Sequence, residues 1–164
     1  MQQAVTLYFF CGKMASGKST LARKLAQDHA AILLVEDELL EKLFAEEITD
    51  IPSYIQYSWR LKDAISGHIS TLLSRGISVV LDFPANTREQ RQWFRMLTEN
   101  TGAIHELHFV DASNELCKRQ LAERSKDKPE GSAFTSEQEF EAITHYFQPP
   151  SVDEGFHTIV HQRV

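Results

Sequence analysis

Cysteine is scarce. The two residues, Cys11 and Cys117, stand far apart and form no C-x-x-C pair, so neither a disulfide framework nor a thiolate metal cage is expected and a reducing, cytoplasmic setting fits. No apolar run approaches the roughly 18 residues that span a bilayer. Met1 to Cys11 has no basic segment ahead of its apolar residues and leads into Gly12 and Lys13, not into a small-residue cleavage site, so no signal peptide and no membrane partner are expected. Positive charge is in deficit too: 17 Lys and Arg against 23 Asp and Glu leave a net charge of −6. This argues against a general nucleic-acid or membrane-surface binder, while allowing a local basic patch. With 164 residues the chain is too short for a (β/α)₈ barrel, which needs roughly 200 to 250, and one domain spanning residues 1–164 is expected.

Short apolar runs alternate with helical patterns, the arrangement of βαβ units feeding a parallel sheet. Strands are expected at Val5 to Phe10, Ala31 to Val35, Ile77 to Leu81, about Ile104 to Val110, and Phe156 to Val160. Between them, helical spacing covers Leu21 to Ala26, Glu38 to Phe44, about Tyr54 to Ser74 with Gly76 as its stop, a segment opening with a Thr87/Gln90 capping box, and Asn114 to about Arg124. Ser125 to Ser136 is rich in Pro, Gly, Ser and charge, hence a mobile loop between two helices, the second closed by Pro149-Pro150. The fold class is α/β, with about five parallel strands and helices on both faces.

Gly12-Lys13-Met14-Ala15-Ser16-Gly17-Lys18-Ser19 matches G-x-x-x-x-G-K-[ST] in full and falls between a strand and a helix, the context a phosphate-binding loop requires. The glycines let several amide N–H groups turn toward one anion, and the helix N-terminus adds positive partial charge. Lys18 then reaches the β- and γ-phosphates, the Ser19 hydroxyl is placed to ligate Mg²⁺, and Thr20 adds a phosphate contact. A second carboxylate ligand, held to the metal through water, is expected at the end of a neighbouring apolar strand. Asp82 after Val79-Val80-Leu81 fits, with a plain turn-forming Asp as the alternative.

Taken with Glu36-Asp37-Glu38 and with Arg119 and Leu121-Ala122-Glu123-Arg124, these motifs resemble the small P-loop kinases, closest to the zeta-toxin, chloramphenicol phosphotransferase and polynucleotide kinase-like group of AAA-type ATP-binding domains. The resemblance spans Val5 to about Val160 and implies a P-loop NTPase three-layer sandwich, ATP and Mg²⁺ as cofactors, and transfer of the γ-phosphoryl group to an acceptor hydroxyl. It implies that Asp37 takes the acceptor's proton, and that Arg124, with Arg119 second, closes over the phosphoryl group on a mobile lid around 119–136. The alternatives are helix capping by Asp37 and a solvated helix face for the arginines.

Arg88, Arg91 and Arg95 are three and four apart on one helix face. They bind ligand or face solvent, paired with Glu89 and Glu99. Tyr54, Tyr57 and Trp59 either pack in the core or line an acceptor pocket. The histidines lack the company a metal site needs, and Cys11 reads as a small buried residue. The function that follows is an ATP-dependent phosphotransferase with a small hydroxyl-bearing acceptor. A P-loop ATPase or nucleotide-binding regulatory module without an acceptor is the alternative; no N-K-x-D guanine signature is present. A nucleic-acid end as acceptor is disfavoured by the net charge, although the arginine row would serve it.

Overall fold

In the computed structural model, which describes residues 3–132 and 134–164, five parallel strands form one sheet in the order β2-β3-β1-β4-β5. The strands are β1 (Thr6–Cys11), β2 (Ile32–Val35), β3 (Val79–Pro84), β4 (Ile104–Ala112) and β5 (Thr158–Arg163). The helices are α1 (Lys18–Asp28), α2 (Glu36–Phe44), α3 (Ile51–Ser74), α4 (Arg88–Thr98), α5 (Asn114–Ser125) and α6 (Glu137–Thr144). The α/β fold expected from the sequence is the one observed.

β1 is central and buried throughout, which is why Thr6 to Cys11 reads as a continuous apolar run rather than an alternating one. On one face, Tyr8, Phe10 and Val80 pack under Ala22 and Ala26 of α1, whose small side chains bring that helix close to the sheet. On the other, Leu7, Phe9 and Leu81 meet Leu61, Ile69 and Leu73 of α3 and Phe94 and Leu97 of α4. Phe9 stacks on Phe94 at 4.4 Å between ring centres. A third cluster, Cys117, Leu121 and Phe140 with Ala112, Met14 and Ala15, seats α5 and α6 against the loop after β1.

The elements differ from expectation at several places, for reasons visible in their bonding. β3 starts two residues late because Gly76 (φ 85°) and the Ile77 N–H, bonded to Leu72 O, still close off α3. At α4 only half of the capping box forms: Thr87 accepts from the Gln90 N–H, but the Gln90 side chain accepts from the Asn86 N–H instead of the N-cap's own. α6 ends at Thr144, well before Pro149-Pro150, since the chain beyond it docks on the β3–α4 connection, with Gln148 N–H donating to Asn86 O. β5 begins at Thr158 and runs to Arg163. Phe156 instead packs edge-on against Phe9, with the Arg95 guanidinium 4.3 Å from its ring centre.

Candidate active site

The loop from Gly12 to Gly17 leaves β1 at the carboxyl edge of the sheet and curls back into α1. Ala15 (φ 62°) and Gly17 (φ 108°) both take the left-handed region, and Ser16 N–H donates to Lys13 O. This alternation turns successive N–H groups toward one side of the chain. Neither glycine has room for a side chain. A Cβ on Gly12 would lie 2.7 Å from Ser16 Oγ and 2.9 Å from Val110 O, and one on Gly17 would meet the Arg163 guanidinium. Side chains cap α3, α4, α5 and α6, whereas α1 starts at Gly17 with no capping side chain and no acidic residue in its first turn. Its first N–H groups are free to meet an anion. Ser16 Oγ is buried with no hydrogen-bond partner, an orphan polar atom inside the same cup. These features fit a polyphosphate.

Lys18 lies across the loop, its ammonium donating to Gly12 O and Lys13 O. Its desolvation there pulls its pKa below the usual lysine range, against the opposing pull of Cys11, Asp82 and Asp37. Asp82, half-buried near the end of β3, is pushed up by burial, while Ser19, Lys18 and Arg23 pull it back and Asp37 adds to the rise. Lys18, Ser19, Asp82 and Asp37 therefore share one electrostatic neighbourhood at the carboxyl ends of β1, β3 and β2, where an open α/β sheet binds ligands. Among the described residues no cluster of three or more His, Cys, Asp or Glu could hold a metal unaided. Ser19 and Asp82 are the groups beside the loop that could hold a divalent cation together with phosphate and water oxygens.

Asp37 stands exposed in the first turn of α2 and does not cap it; the N-cap position is Val35. Its neighbour Glu36 is buried and accepts from the hydroxyls of Tyr54 and Ser58, so of the Glu36-Asp37-Glu38 run the structural carboxylate is Glu36. Tyr54, Tyr57 and Trp59 pack against the core. Tyr57 lies on Phe44, and Trp59 lies 4.3 Å beneath the Lys62 ammonium. Arg119 and Arg124 are exposed on α5. Gln120 of the same helix faces the loop, and Arg124, four residues on, shares that face while Arg119 is turned about 100° away. Thr20 is exposed at the loop's rim, and the Lys13 side chain turns away to Asn114 Oδ1 at 2.8 Å, leaving its main chain to the cup.

The arginine row corrects the sequence reading in its partners, which are not Glu89 and Glu99 but groups of the segment before β5, while Arg88 stays half-exposed at the surface. Arg91 is fully buried and paired with Glu154, Nε to Oε1 at 2.7 Å, and also donates to Ala85 O. Arg88 pairs with Asp153, and Arg95 donates to Glu154 O. The row clamps the segment before β5 against α4, and its partners lie more than 50 residues away in sequence, out of reach of any local pattern. Both cysteines are buried, and burial pushes the Cys11 thiol up to about 12 and raises Cys117 as well, so neither is a nucleophile.

Three residues that support the loop were not singled out by the sequence. Asn86 Oδ1 accepts from the Gly12 N–H at 2.8 Å. Arg163 donates to Ser16 O at 2.6 Å. Gln120, with its amide oriented to suit both partners, donates to Ala15 O at 2.7 Å and accepts from Arg163 Nη2 at 3.1 Å. Asn86 was accessible in principle, since it ends the connection from a strand that must lie beside β1. Arg163 depended on the true end of β5.

Comparison with known proteins agrees with this geometry. A family model described as "AAA domain" matches residues 7–150. No match was found among curated proteins. Among solved structures, a sugar kinase from Janibacter sp. HTCC2649 superposes with a TM-score of 0.66 at 16% identity, covering 96% of this chain and 85% of that one. A gluconokinase from Sinorhizobium meliloti 1021 gives 0.65 at 16%, covering 98% and 84%. The APS kinase from Mycobacterium tuberculosis in complex with AMPPNP and APS gives 0.59 at 22%, covering 99% and 89%. At these identities the structures speak for the fold; it is the family match, over a loop that has the curl and the free amides of a phosphate cup, that places the chain in the AAA domain family.

Proposed function

We propose that this protein is an ATP-dependent phosphotransferase that moves the γ-phosphoryl group to a hydroxyl of a small-molecule acceptor. The observation that carries the reading is the convergence of Lys18, Asp82 and Asp37 beside the curled loop. Phosphoryl transfer requires a carboxylate beside the phosphate end to meet the acceptor hydroxyl, which nucleotide binding alone does not.

The amides from Lys13 to Thr20 hold the polyphosphate, and Lys18 neutralises the β- and γ-oxygens. Magnesium, when bound by Ser19 and Asp82, supplies further neutralisation of the charge that builds on the leaving group. The acceptor oxygen attacks the γ-phosphorus as the bond to the β–γ bridging oxygen breaks, and ADP leaves with that electron pair. Asp37 orients the hydroxyl and takes its proton. Arg124, with Arg119 in support, brings guanidinium charge over the migrating group as residues 119–136 close. Most of the acceleration is positioning and electrostatics.

The small-molecule reading is supported by the neighbours named as sugar kinase, gluconokinase and APS kinase. It gains from the arginine row as well: with Arg91 buried and Arg95 packed on Phe156, that row offers no basic stripe to a nucleic-acid backbone. The test is transfer of label from [γ-³²P]ATP across a panel of hydroxylated metabolites and nucleic-acid ends. Label should pass to a small molecule, Lys18→Ala should abolish transfer, and Asp37→Asn should spare nucleotide binding while depressing transfer. Equal loss of binding and transfer in Asp37→Asn would move that residue from chemistry to structure. ATP hydrolysis with no acceptor anywhere in the panel would overturn the kinase reading.

A further inference from the structure

The side of the loop away from Asp37 and Asp82 carries a chain of three titratable groups that the phosphotransfer reading leaves unused. β4 and β5 pair with Val110 opposite His161, which sets His161 diagonally across from His108 on the same face. His108 is buried, 5.7 Å from Phe10 and 6.3 Å from Tyr8 between ring centres. Its Nε2 lies 2.9 Å from Glu106 Oε1 and its Nδ1 2.9 Å from His161 Nε2, with the two imidazole planes only 20° apart.

The proton positions follow from the donor inventory. A carboxylate only accepts, so His108 Nε2 carries the hydrogen. Burial disfavours a charged His108, against the opposing pull of Glu106, and in the neutral ring Nδ1 is then an acceptor. His161 must therefore donate through Nε2, and in the neutral tautomer that does so its own Nδ1 carries a lone pair. Nδ1 has no hydrogen-bond partner among the described residues. His161 lines a cleft of about 390 Å³ with Thr20, Leu21, Val110 and Arg163, within the size range of small-ligand sites.

That cleft opens directly from Gly17 and Thr20, at the phosphate cup. The γ-end of a nucleotide faces Asp82 and Asp37, on the β3 and β2 side of β1. The nucleoside end must then leave toward β4 and β5, between Leu21 and Val110, which offer apolar walls to a flat base. We propose that His161 reads the base of the bound nucleotide, its Nδ1 accepting from the exocyclic amine of adenine, and that Glu106 and His108 are positioning residues that hold His161 in the accepting tautomer. Guanine presents a carbonyl oxygen at that position, so two acceptors would face each other and one would be left unpaired. The inference rests on the nucleotide-binding reading of the loop and assigns to that site a base preference and the residue that sets it.

The test is calorimetric titration of the full chain with the magnesium complexes of ATP, GTP and purine riboside triphosphate, which lacks the 6-amine, beside inorganic tripolyphosphate, which uses the cup alone. ATP should bind roughly tenfold more tightly than the other two nucleotides, about one hydrogen bond's worth. His161→Phe should bind all three alike. His108→Phe, which never touches the cleft, should lose the same discrimination, and both variants should bind tripolyphosphate as the wild type does. An unchanged preference in His161→Phe overturns the assignment while leaving the phosphate loop intact, and an unchanged preference in His108→Phe overturns the relay. If the variants lose tripolyphosphate binding because the sheet is disturbed, the wild-type comparison still decides, since equal affinity for ATP and purine riboside triphosphate refutes a read amine. No binding of any of the four would remove the nucleotide reading itself.

Discussion

Replacing Glu154 by Ala strands a guanidinium inside the protein. Arg91 and Glu154 have side-chain exposures of 0% and 1%, and their two contacts, Nε to Oε1 at 2.7 Å and Nη2 to Oε2 at 3.2 Å, satisfy charges that solvent cannot reach. Breaking a buried pair by removing one partner costs about 3–5 kcal/mol, because the survivor keeps its desolvation penalty and loses its compensation. At roughly 2–4 °C per kcal/mol for a chain of this size, Glu154→Ala should lower Tm by about 6–20 °C. Glu154→Gln keeps an acceptor for Nε but not the charge, and should fall between the variant and the wild type. Arg91→Met combined with Glu154→Ala removes the stranded charge and should be more stable than Glu154→Ala alone, although Ala85 O then loses its donor. Urea titrations and thermal melts of the three variants measure these differences. A Glu154→Ala cost under about 1 kcal/mol, or a double variant worse than the single, would refute the argument that this pair locks the segment before β5 onto α4.

Asn86→Ala should leave the Gly12 N–H without its acceptor. The expected loss is about 1–3 kcal/mol, read as a lower Tm together with weaker nucleotide binding in a titration. Stability should also depend on acid in a defined sense. The hydrogen bonds and charge of Arg88, with Ser151, hold Asp153 down to about 2. Burial would raise Glu154, but hydrogen bonds from Arg91 and the Ser151 N–H, with the charge of Arg91, hold it below its ordinary value. Both folded values lie below the unfolded ones, so this contribution is complete above roughly pH 4–5 and is lost as the pH falls toward 2. Urea midpoints measured between pH 6 and pH 2.5 should fall, and Arg88→Ala should flatten part of the slope; a flat wild-type profile contradicts the assignment.

What could be read from the sequence was whatever is written in neighbouring residues. Gly12 to Ser19 announces its loop because curl, lysine and hydroxyl must sit at fixed offsets, and the buried strands announce themselves as apolar runs. Asp82 could be placed because a strand end beside β1 is a topological necessity. What failed was set by distant partners. The Arg88, Arg91 and Arg95 row looks like a solvent-facing helix stripe until Asp153 and Glu154 arrive from the far end of the chain. The early end of α6 and the late start of β5 have the same origin, since docking of residues 145–156 on Asn86, Arg91 and Arg95 takes them out of both elements, with a short 3-10 turn at Val152–Glu154. Asn86, Gln120 and Arg163 act through bonds to the loop that no spacing rule encodes.

The most direct test of the account is isothermal titration of magnesium ATP into the wild-type chain and into Lys18→Ala. A curled loop with free amides predicts saturable one-to-one binding that disappears or weakens steeply once the ammonium is removed. Absence of heat with the wild type, or an affinity untouched by the loss of Lys18, would contradict it.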